Sequence, residues 1–454
     1  MRRSHILLAG AVAIAGTAAL FGNGGGTAAE VQGAPLEPAG VVRATEPAAG
    51  SPTAVKRTQG TLAELLDLDK LTLTAAGDHY EAKLKYGRHA VLTLDPTLQA
   101  YAEKLLAEAR APRGAIVAMA PDGRILALAG RRSEPPKDDK ADKAEPAAKS
   151  DKTTKRDKKA GREGVFDWRL ATEVWAPAAS VFKLVTASAL VAAGVDPGGK
   201  VCFHGGLRSV LESNLRDDKN DSRCESLMYG VAHSNNAILG KLAFQKLEPG
   251  ALTKFARELG ISVRLPGADL TGVAGAVDIP AVRDLNFAQS AAGFSGSQLS
   301  AVGGALLAAT FADDGEQPVP TLIASIDGVA QALPPRRRAV TAEVAKAVGK
   351  MMEATCELGS AAKSFGRHQA IRVAGKTGTL TRTAPFYMEH SWFVGYAPAE
   401  QPQIIVSVVL GNPENWHLRG HEAARRLIDR AIDRTKPREK DRAAKITSTR
   451  RVGW

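Results

Sequence analysis

The chain has 454 residues, a formal net charge of +12 and only three cysteines. Residues 131–163 hold 12 basic and 8 acidic side chains and residues 435–454 hold 7 and 2, so two stretches supply +9 of the +12. The remainder is nearly neutral, which removes the basis for a nucleic-acid-binding reading, and no Cys or His falls at metal-ligand spacing.

Residues 1–29 open with Met1-Arg2-Arg3-Ser4-His5, continue as an apolar run from Ile6 to Phe21 and end in small residues up to Ala29. Charged, apolar and small-residue regions in this order predict export. The run is slightly short of the roughly 17–25 residues that span a bilayer, so a cleaved signal and an uncleaved anchor are both open. Either way the rest of the chain is expected to be exported. Residues 30–60 are rich in Ala, Pro, Gly and Thr without periodicity and read as linker. Leu62 to Lys85 predicts a short helix and two strands, too little for a core of its own, so 30–87 is a linker and small appendage.

A mixed domain is expected over 88–434. Val91 to Asp95 reads as a strand, Thr97 to Ala109 as an amphipathic helix, and Gly114–Ala120 with Arg124–Gly130 as a hairpin about Asp122-Gly123. Residues 131–163 lack apolar anchors and predict a disordered charged insertion. From Ser180 to Gly194 the chain is almost wholly apolar and closes on Gly194 with Pro197 beyond, which predicts a buried helix. Val231–Lys246, Leu252–Leu259 and Leu299–Phe311 read as further helices. Ala370–Gly375, Ser391–Ala397 and Gln403–Leu410 read as strands, His421–Arg434 as a closing helix, and 435–454 as a basic tail. The implied class is α+β: one antiparallel sheet of about five strands, flanked by helices, with a helical lobe beside it.

Cys202 and Cys224 are either a disulfide closing a loop worth roughly 3 kcal/mol or two free thiols. Cys356, beside Met351 and Met352, reads as a core thiol.

Ser180-Val181-Phe182-Lys183 places a hydroxyl and an amine on one face of the first turn of the buried helix. Desolvation lowers a lysine pKa until it can accept the serine proton, so this pair is a candidate nucleophile and base. Alone it is weak. Ser180 reads equally as a helix cap and Lys183 as a snorkelling side chain, and a second copy occurs at Ser360-Ala361-Ala362-Lys363. Two further motifs decide between them. Ser234-Asn235-Asn236 lies 54 residues beyond Ser180, and Lys376-Thr377-Gly378-Thr379 follows an expected strand ending at Gly375. S-x-x-K, S-x-N and K-T-G in this order are the signature of penicillin-binding proteins and class A β-lactamases. The Ser360 copy is excluded by order, since no S-x-N follows it.

With Leu92-Thr93-Leu94-Asp95-Pro96-Thr97-Leu98-Gln99 at the domain entrance and Trp392-Phe393-Val394-Gly395-Tyr396-Ala397-Pro398 after K-T-G-T, the region Arg88–Arg434 resembles the transpeptidase domain of penicillin-binding proteins. The family pattern has Pro-Gly before the nucleophile in many members; here Ala178-Ala179 stand there. No glycosyltransferase signature precedes Arg88, so a compact transpeptidase-only form is expected.

The resemblance implies a serine β-lactamase/transpeptidase-like fold and an acyl-enzyme mechanism without metal or organic cofactor. Ser180 would attack the carbonyl between two terminal D-alanines while Lys183 takes its proton. Ser234 would relay a proton between Lys183 and the leaving group, and Asn236 would hold the substrate backbone. Lys376, Thr377 and Thr379 would receive the terminal carboxylate, Gly378 would let the strand approach the ligand, and the Ser180 and Thr379 N–H groups would form the oxyanion hole. The partners implied are peptidoglycan stem peptides, β-lactams and proteins of a wall-synthesis complex. D,D-carboxypeptidase, class D-like serine β-lactamase and non-catalytic β-lactam sensor or scaffold are the alternatives. Class A is disfavoured because Val282-Arg283-Asp284-Leu285-Asn286, the nearest match to E-x-x-L-N, has valine where the water-activating glutamate would be.

Overall fold

The computed structural model describes residues 66–133, 164–206, 208–266, 269–366, 370–383 and 386–435. The expected export segment, the 30–60 linker, the basic tail beyond 435 and residues 134–163 of the charged insertion lie outside these. No helix among the described residues is long and apolar enough to cross a membrane.

Strands β1 (Thr72–Leu73), β2 (Tyr80–Lys83) and β3 (His89–Leu92) run as a meander into α1 (Pro96–Ala109). The start of α1 is set by Asp95, whose carboxylate accepts from the N–H groups of Thr97 and Leu98, with Pro96 at the first helical position. The expected hairpin follows as β4 (Arg113–Met119) and β5 (Ile125–Arg132). Its turn needs Gly123, where φ is +101° and a Cβ would lie 2.3 Å from the Val319 carbonyl oxygen. β5 runs two residues into the charged stretch: Arg131 is buried and Arg132 Nη2 lies 2.6 Å from Asp167 Oδ2. The insertion therefore starts after the strand and not at 131.

Next come β6 (Val165–Phe166), β7 (Ala176–Pro177), a 3₁₀ turn over Ala179–Phe182 and α2 (Lys183–Ala192). The helical lobe contains β8 (Lys200–Phe203), β9 (Arg223–Ser226), α3 (Leu227–Ala232), α4 (Asn236–Lys246) and α5 (Pro249–Glu258). Cys202 and Cys224 are joined across β8 and β9, so the disulfide alternative is the one adopted. The single helix expected over 231–246 is two helices broken at His233–Asn235. The break follows from Ser234 at φ +57°, and Asn235 restarts the helix by accepting from the Ile238 N–H.

The chain continues through β10 (Gly275–Val277), α6 (Leu285–Ala291), β11 (Ser297–Leu299), α7 (Ala301–Ala312), β12 (Glu316–Gln317), β13 (Ile323–Ile326), β14 (Val329–Ala330), β15 (Arg337–Arg338), α8 (Ala342–Glu357) and α9 (Ala362–Phe365). It ends in β16 (Ala374–Arg382), β17 (Met388–Ala397), β18 (Ile404–Asn412) and α10 (Gly420–Thr435). The strand expected at 370–375 starts later and runs on to Arg382, so K-T-G-T lies inside it.

The central sheet has the order β16-β17-β18-β4-β5-β6, every pair antiparallel. Five long strands match the expectation; the two-residue β6 adds an edge. Alternate residues serve opposite faces. Ile116, Ala118, Val406, Val408 and Phe393 pack with Leu98, Leu105 and Leu427 of α1 and α10, while Ala115, Val117, Val394 and Val409 pack with the helices on the other side. Covering both faces explains why β18 is apolar at nearly every position. On the second face α7 is buried along eleven of its twelve residues, so its composition is apolar all round.

Residues 66–87 do not stand apart as an appendage. β2 pairs with β3, which pairs with β13, and Leu66, Ala82 and Leu84 join Leu92, Ile323 and Ile326 in the main core. A short segment lacking its own core is completed by a strand more than 200 residues downstream.

Candidate active site

The site assembles where α2, the α3–α4 break and edge strand β16 meet. The chain enters α2 through β7, which pairs with β11, and Ala178 N–H donates to the Ser297 carbonyl at 3.0 Å. Trp392 Nε1 on β17 donates to the Pro177 carbonyl at 2.8 Å, fixing this entry to the central sheet. Ala179 is then left-handed, with φ +50°, and Ser180 follows in the 3₁₀ turn. An L-residue in that region costs about 1–2 kcal/mol and glycine about nothing. Ala179→Gly is therefore expected to stabilise the fold by about 0.5–1 kcal/mol after the entropic cost of glycine is subtracted. Urea unfolding checks this; a lowered midpoint would refute it.

Ser180 makes no capping hydrogen bond and Lys183 has no exposed surface, so the cap-and-snorkel alternative is overturned. Lys183 Nζ has three partners: Ser180 Oγ at 2.8 Å, Asn236 Oδ1 at 2.7 Å and the Ala292 carbonyl at 2.6 Å. Two of these are carbonyl oxygens, which only accept. They orient two N–H bonds of the amine, and the remaining tetrahedral direction points at the serine hydroxyl. Burial, followed by the charge of Lys376, holds the Lys183 amine well below the ordinary lysine pKa. A neutral Lys183 in this geometry presents its lone pair to the Ser180 proton.

Lys376 is equally buried, and burial brings its pKa down to about 7. Its Nζ donates to Ser234 Oγ at 3.2 Å and to the Thr377 carbonyl at 3.0 Å. Two ammonium groups in one dry pocket cannot both stay charged. The charge of Lys376 acts on Lys183 and, added to burial, favours its neutral form.

Each of the motif residues is brought to one place, with three differences from the expected roles. Ser234 Oγ is held by Lys376, not Lys183. Asn236 spends its carbonyl on Lys183, so any hold on a ligand falls to its Nδ2. What the missing Cβ of Gly378 makes room for is the nucleophile turn: a Cβ there would stand 3.2 Å from Val181 Cγ2 and 3.3 Å from the Ala178 carbonyl oxygen, so glycine lets β16 close against it. Gly293 does the same from the opposite wall, where a Cβ would meet the Ala179 carbonyl oxygen at 2.1 Å.

A cleft of about 610 Å³ runs over these groups, with Ser180, Ser234, Asn236, Thr377 and Thr379 in its walls. Because β16 is the edge of the central sheet, its outer backbone groups face this cleft and can pair with an extended ligand. Sequence reasoning missed Arg208, Phe294 and Glu389, which also line it, and Ser360, which it had set aside. Arg208, Phe294 and Glu389 carry no motif and arrive by folding alone. Val282 is exposed and is not among the lining residues, and Asp284 caps α6 by accepting from the Phe287 N–H. Among the described residues no group of His, Cys, Asp or Glu is placed to hold a metal.

Residues 114–431 match the family model described as the penicillin-binding protein transpeptidase domain. The chain is 27% identical over 254 residues to the peptidoglycan D,D-transpeptidase PbpA of Mycolicibacterium smegmatis, covering 52% of this chain and 49% of that one. Penicillin-binding protein PbpB of Mycobacterium tuberculosis is 24% identical over 369 residues, covering 75% and 51%. The chain thus spans about half the length of the curated relatives it matches. Among solved structures, penicillin-binding protein A from M. tuberculosis, as a ceftriaxone acyl-enzyme complex, superimposes with a TM-score of 0.58 at 21% identity over 76% of this chain and 80% of that one. The D,D-transpeptidase domain of a peptidoglycan glycosyltransferase from Eggerthella lenta gives 0.58 at 23% identity, over 78% and 86%. With the family model covering well over half of its length and both neighbours sharing its fold, this chain belongs to the penicillin-binding protein transpeptidase family.

Proposed function

We propose that this protein is a serine D,D-transpeptidase that cross-links peptidoglycan through an acyl-enzyme on Ser180. The observation that carries the reading is the buried Lys183 amine, which the Asn236 and Ala292 oxygens hold so that its remaining direction meets the Ser180 hydroxyl. Ser180 Oγ attacks the carbonyl between the terminal D-alanines as its proton passes to Lys183. The oxyanion forms against the N–H groups of Ser180, at the start of a helical turn, and Thr379 on the edge strand. Ser234, hydrogen-bonded to Lys376, delivers a proton drawn from that amine to the departing D-alanine amine, while the proton gained by Lys183 leaves the total charge of the two lysines unchanged. The donor carboxylate lies by Thr377 and Thr379 above the Lys376 charge. An amine of a second stem then takes the acyl group.

The composition of the cleft counts against rapid β-lactam hydrolysis of the class A type. Among its described lining residues Glu389 is the only carboxylate; it stands opposite Thr381 at the far end of the motif strand, with Arg419 Nη2 3.7 Å from its Oε1. A water-activating carboxylate side chain beside Ser180, as class A β-lactam hydrolysis needs, is not part of that wall. The leader-like residues 1–29 and the Cys202–Cys224 disulfide support a location outside the cytoplasm, where stem peptides are found.

A time course with fluorescent penicillin on the purified protein, chased with unlabelled drug, tests the reading. Label that persists for many minutes is expected. Label lost within seconds would replace the transpeptidase by a β-lactamase, and no label with any β-lactam would leave a non-catalytic scaffold.

A further inference from the structure

Glu389 is the one carboxylate among the described residues of the cleft wall, and neither the nucleophile nor the proton relay uses it. It arrives there by register. On β17 it is the direct partner of Thr381, so its side chain leaves the sheet on the face shared by Thr377, Thr379 and Thr381. All three threonines line the cleft with it.

A carboxylate side chain only 15% exposed normally collects hydrogen bonds. Glu389 Oε1 is buried and accepts none among the described residues, because its ion-pair partner is held short of making one. Arg419 Nη2 stops 3.7 Å away, and Arg419 Nε is itself buried without a partner. Other contacts place Arg419: its guanidinium lies 4.3 Å from the ring centroid of Trp416, and its backbone N–H donates to Glu422 Oε2 at 2.8 Å. The loose pair leaves the carboxylate with capacity for a further donor.

Strand β16 supplies the ruler. A donor peptide paired with this edge, its scissile carbonyl at the Thr379 N–H and its C-terminus beside Thr377, runs toward Thr381 on its N-terminal side. Thr381 lies about 7 Å beyond Thr379, at about 3.4 Å per residue. The side chain of the residue before the two D-alanines therefore reaches Glu389. A stem that accepts the acyl group carries an amine, and a donor is a stem of the same kind. Its own amine, protonated, is the group that an under-bonded carboxylate fits, through a charge-assisted hydrogen bond.

We propose that Glu389 is a specificity-determining residue that binds the ammonium group on the side chain preceding D-alanyl-D-alanine in the donor. The proposal rests on reading the cleft as a D,D-transpeptidase site. Held at Glu389, the donor's own amine stays at the far end of the cleft from Ser180, which leaves the acyl group to the amine of a second stem.

The test compares the parent full chain with Glu389→Gln, Glu389→Asp and Glu389→Lys on two pairs of probes. One pair is a peptide ending in L-lysyl-D-alanyl-D-alanine with its side-chain amine free or acetylated, whose binding is measured with Ser180→Ala added to each protein. The other is a penicillin whose acylamino side chain ends in a free or an acetylated amine, whose rate of acylation is measured with Ser180 intact. The parent is expected to prefer the free amine about 10-fold in both pairs, the lower end for a hydrogen bond between charged groups. Glu389→Gln should bring the ratio to about one, Glu389→Asp should keep part of the preference, and Glu389→Lys should turn it toward the acetylated forms. Each ratio is internal to one variant, so a smaller folded fraction changes both of its members alike. Equal behaviour of free and acetylated probes in the parent, or a free-amine preference that survives Glu389→Gln, would overturn the proposal. A parent that no penicillin labels would instead sink the transpeptidase reading, and the ratio of peptide affinities would still decide the role of Glu389.

Discussion

Ser180→Ala is expected to abolish covalent labelling by any β-lactam, a loss on the order of 10⁶-fold, as when the nucleophile of a serine hydrolase is removed. The substitution takes away one of three partners of Lys183 Nζ. The Asn236 and Ala292 oxygens still hold the amine, so the fold should persist and circular dichroism should match the parent. Intact-mass spectrometry after incubation with penicillin reads the outcome directly. The parent and Ser360→Ala should each gain the mass of one penicillin, and Ser180→Ala should gain none. Penicillin mass on Ser180→Ala, or its complete absence from Ser360→Ala alone, would transfer the nucleophile to the second motif copy.

Lys183→Met should slow acylation by about 10²–10⁴-fold, the usual contribution of a positioned general base. Methionine preserves most of the buried volume and removes only the amine, so a much larger thermal destabilisation than rate loss would point to a structural role. The pH dependence gives an independent check, with its sign fixed by the two lysines. Acylation needs Lys183 neutral, so the rate falls as pH drops through the Lys183 pKa, which burial and the neighbouring Lys376 charge hold far below the normal value. It also needs Lys376 charged, so the rate falls again as pH rises through about 7. A bell is expected in the second-order rate constant, because that quantity reports the free enzyme. Lys376→Arg, which stays protonated, should remove the alkaline limb while lowering the maximum. An unchanged alkaline limb in that variant would mean that another group titrates there.

How legible the site was depended on whether chemistry is written locally. Ser180 and Lys183 are three residues apart on one turn, so their contact follows from helix geometry, and the apolar run after them already implies the burial that shifts the lysine. The Ala115–Ile116–Val117–Ala118 alternation between two cores is likewise readable, because a strand covered on both faces must be apolar at each position. Breaks are harder. Val231–Lys246 reads as one helix because every residue in it tolerates helical dihedrals. The interruption at Ser234 comes from tertiary partners: Asn236 N–H bonds the Gly206 carbonyl at 2.9 Å, and Ser234 is held in a left-handed conformation that its own type does not favour. The start of β16 was misplaced for a similar reason, since its pairing partner on β17, and not local propensity, sets where the ladder begins.

By itself the sequence determined the family and the class of fold and singled out the candidate nucleophile and base, because these rest on residue types at short, fixed spacing and on periodicity that any chain must obey. Only the tertiary structure decided that Ser234 serves Lys376, that Asn236 holds Lys183, that residues 66–87 complete a sheet through β13, and that Ser360 reaches Thr377. Each of these is a contact between segments distant along the chain, set by how helices and strands pack, and no local rule of spacing contains that information.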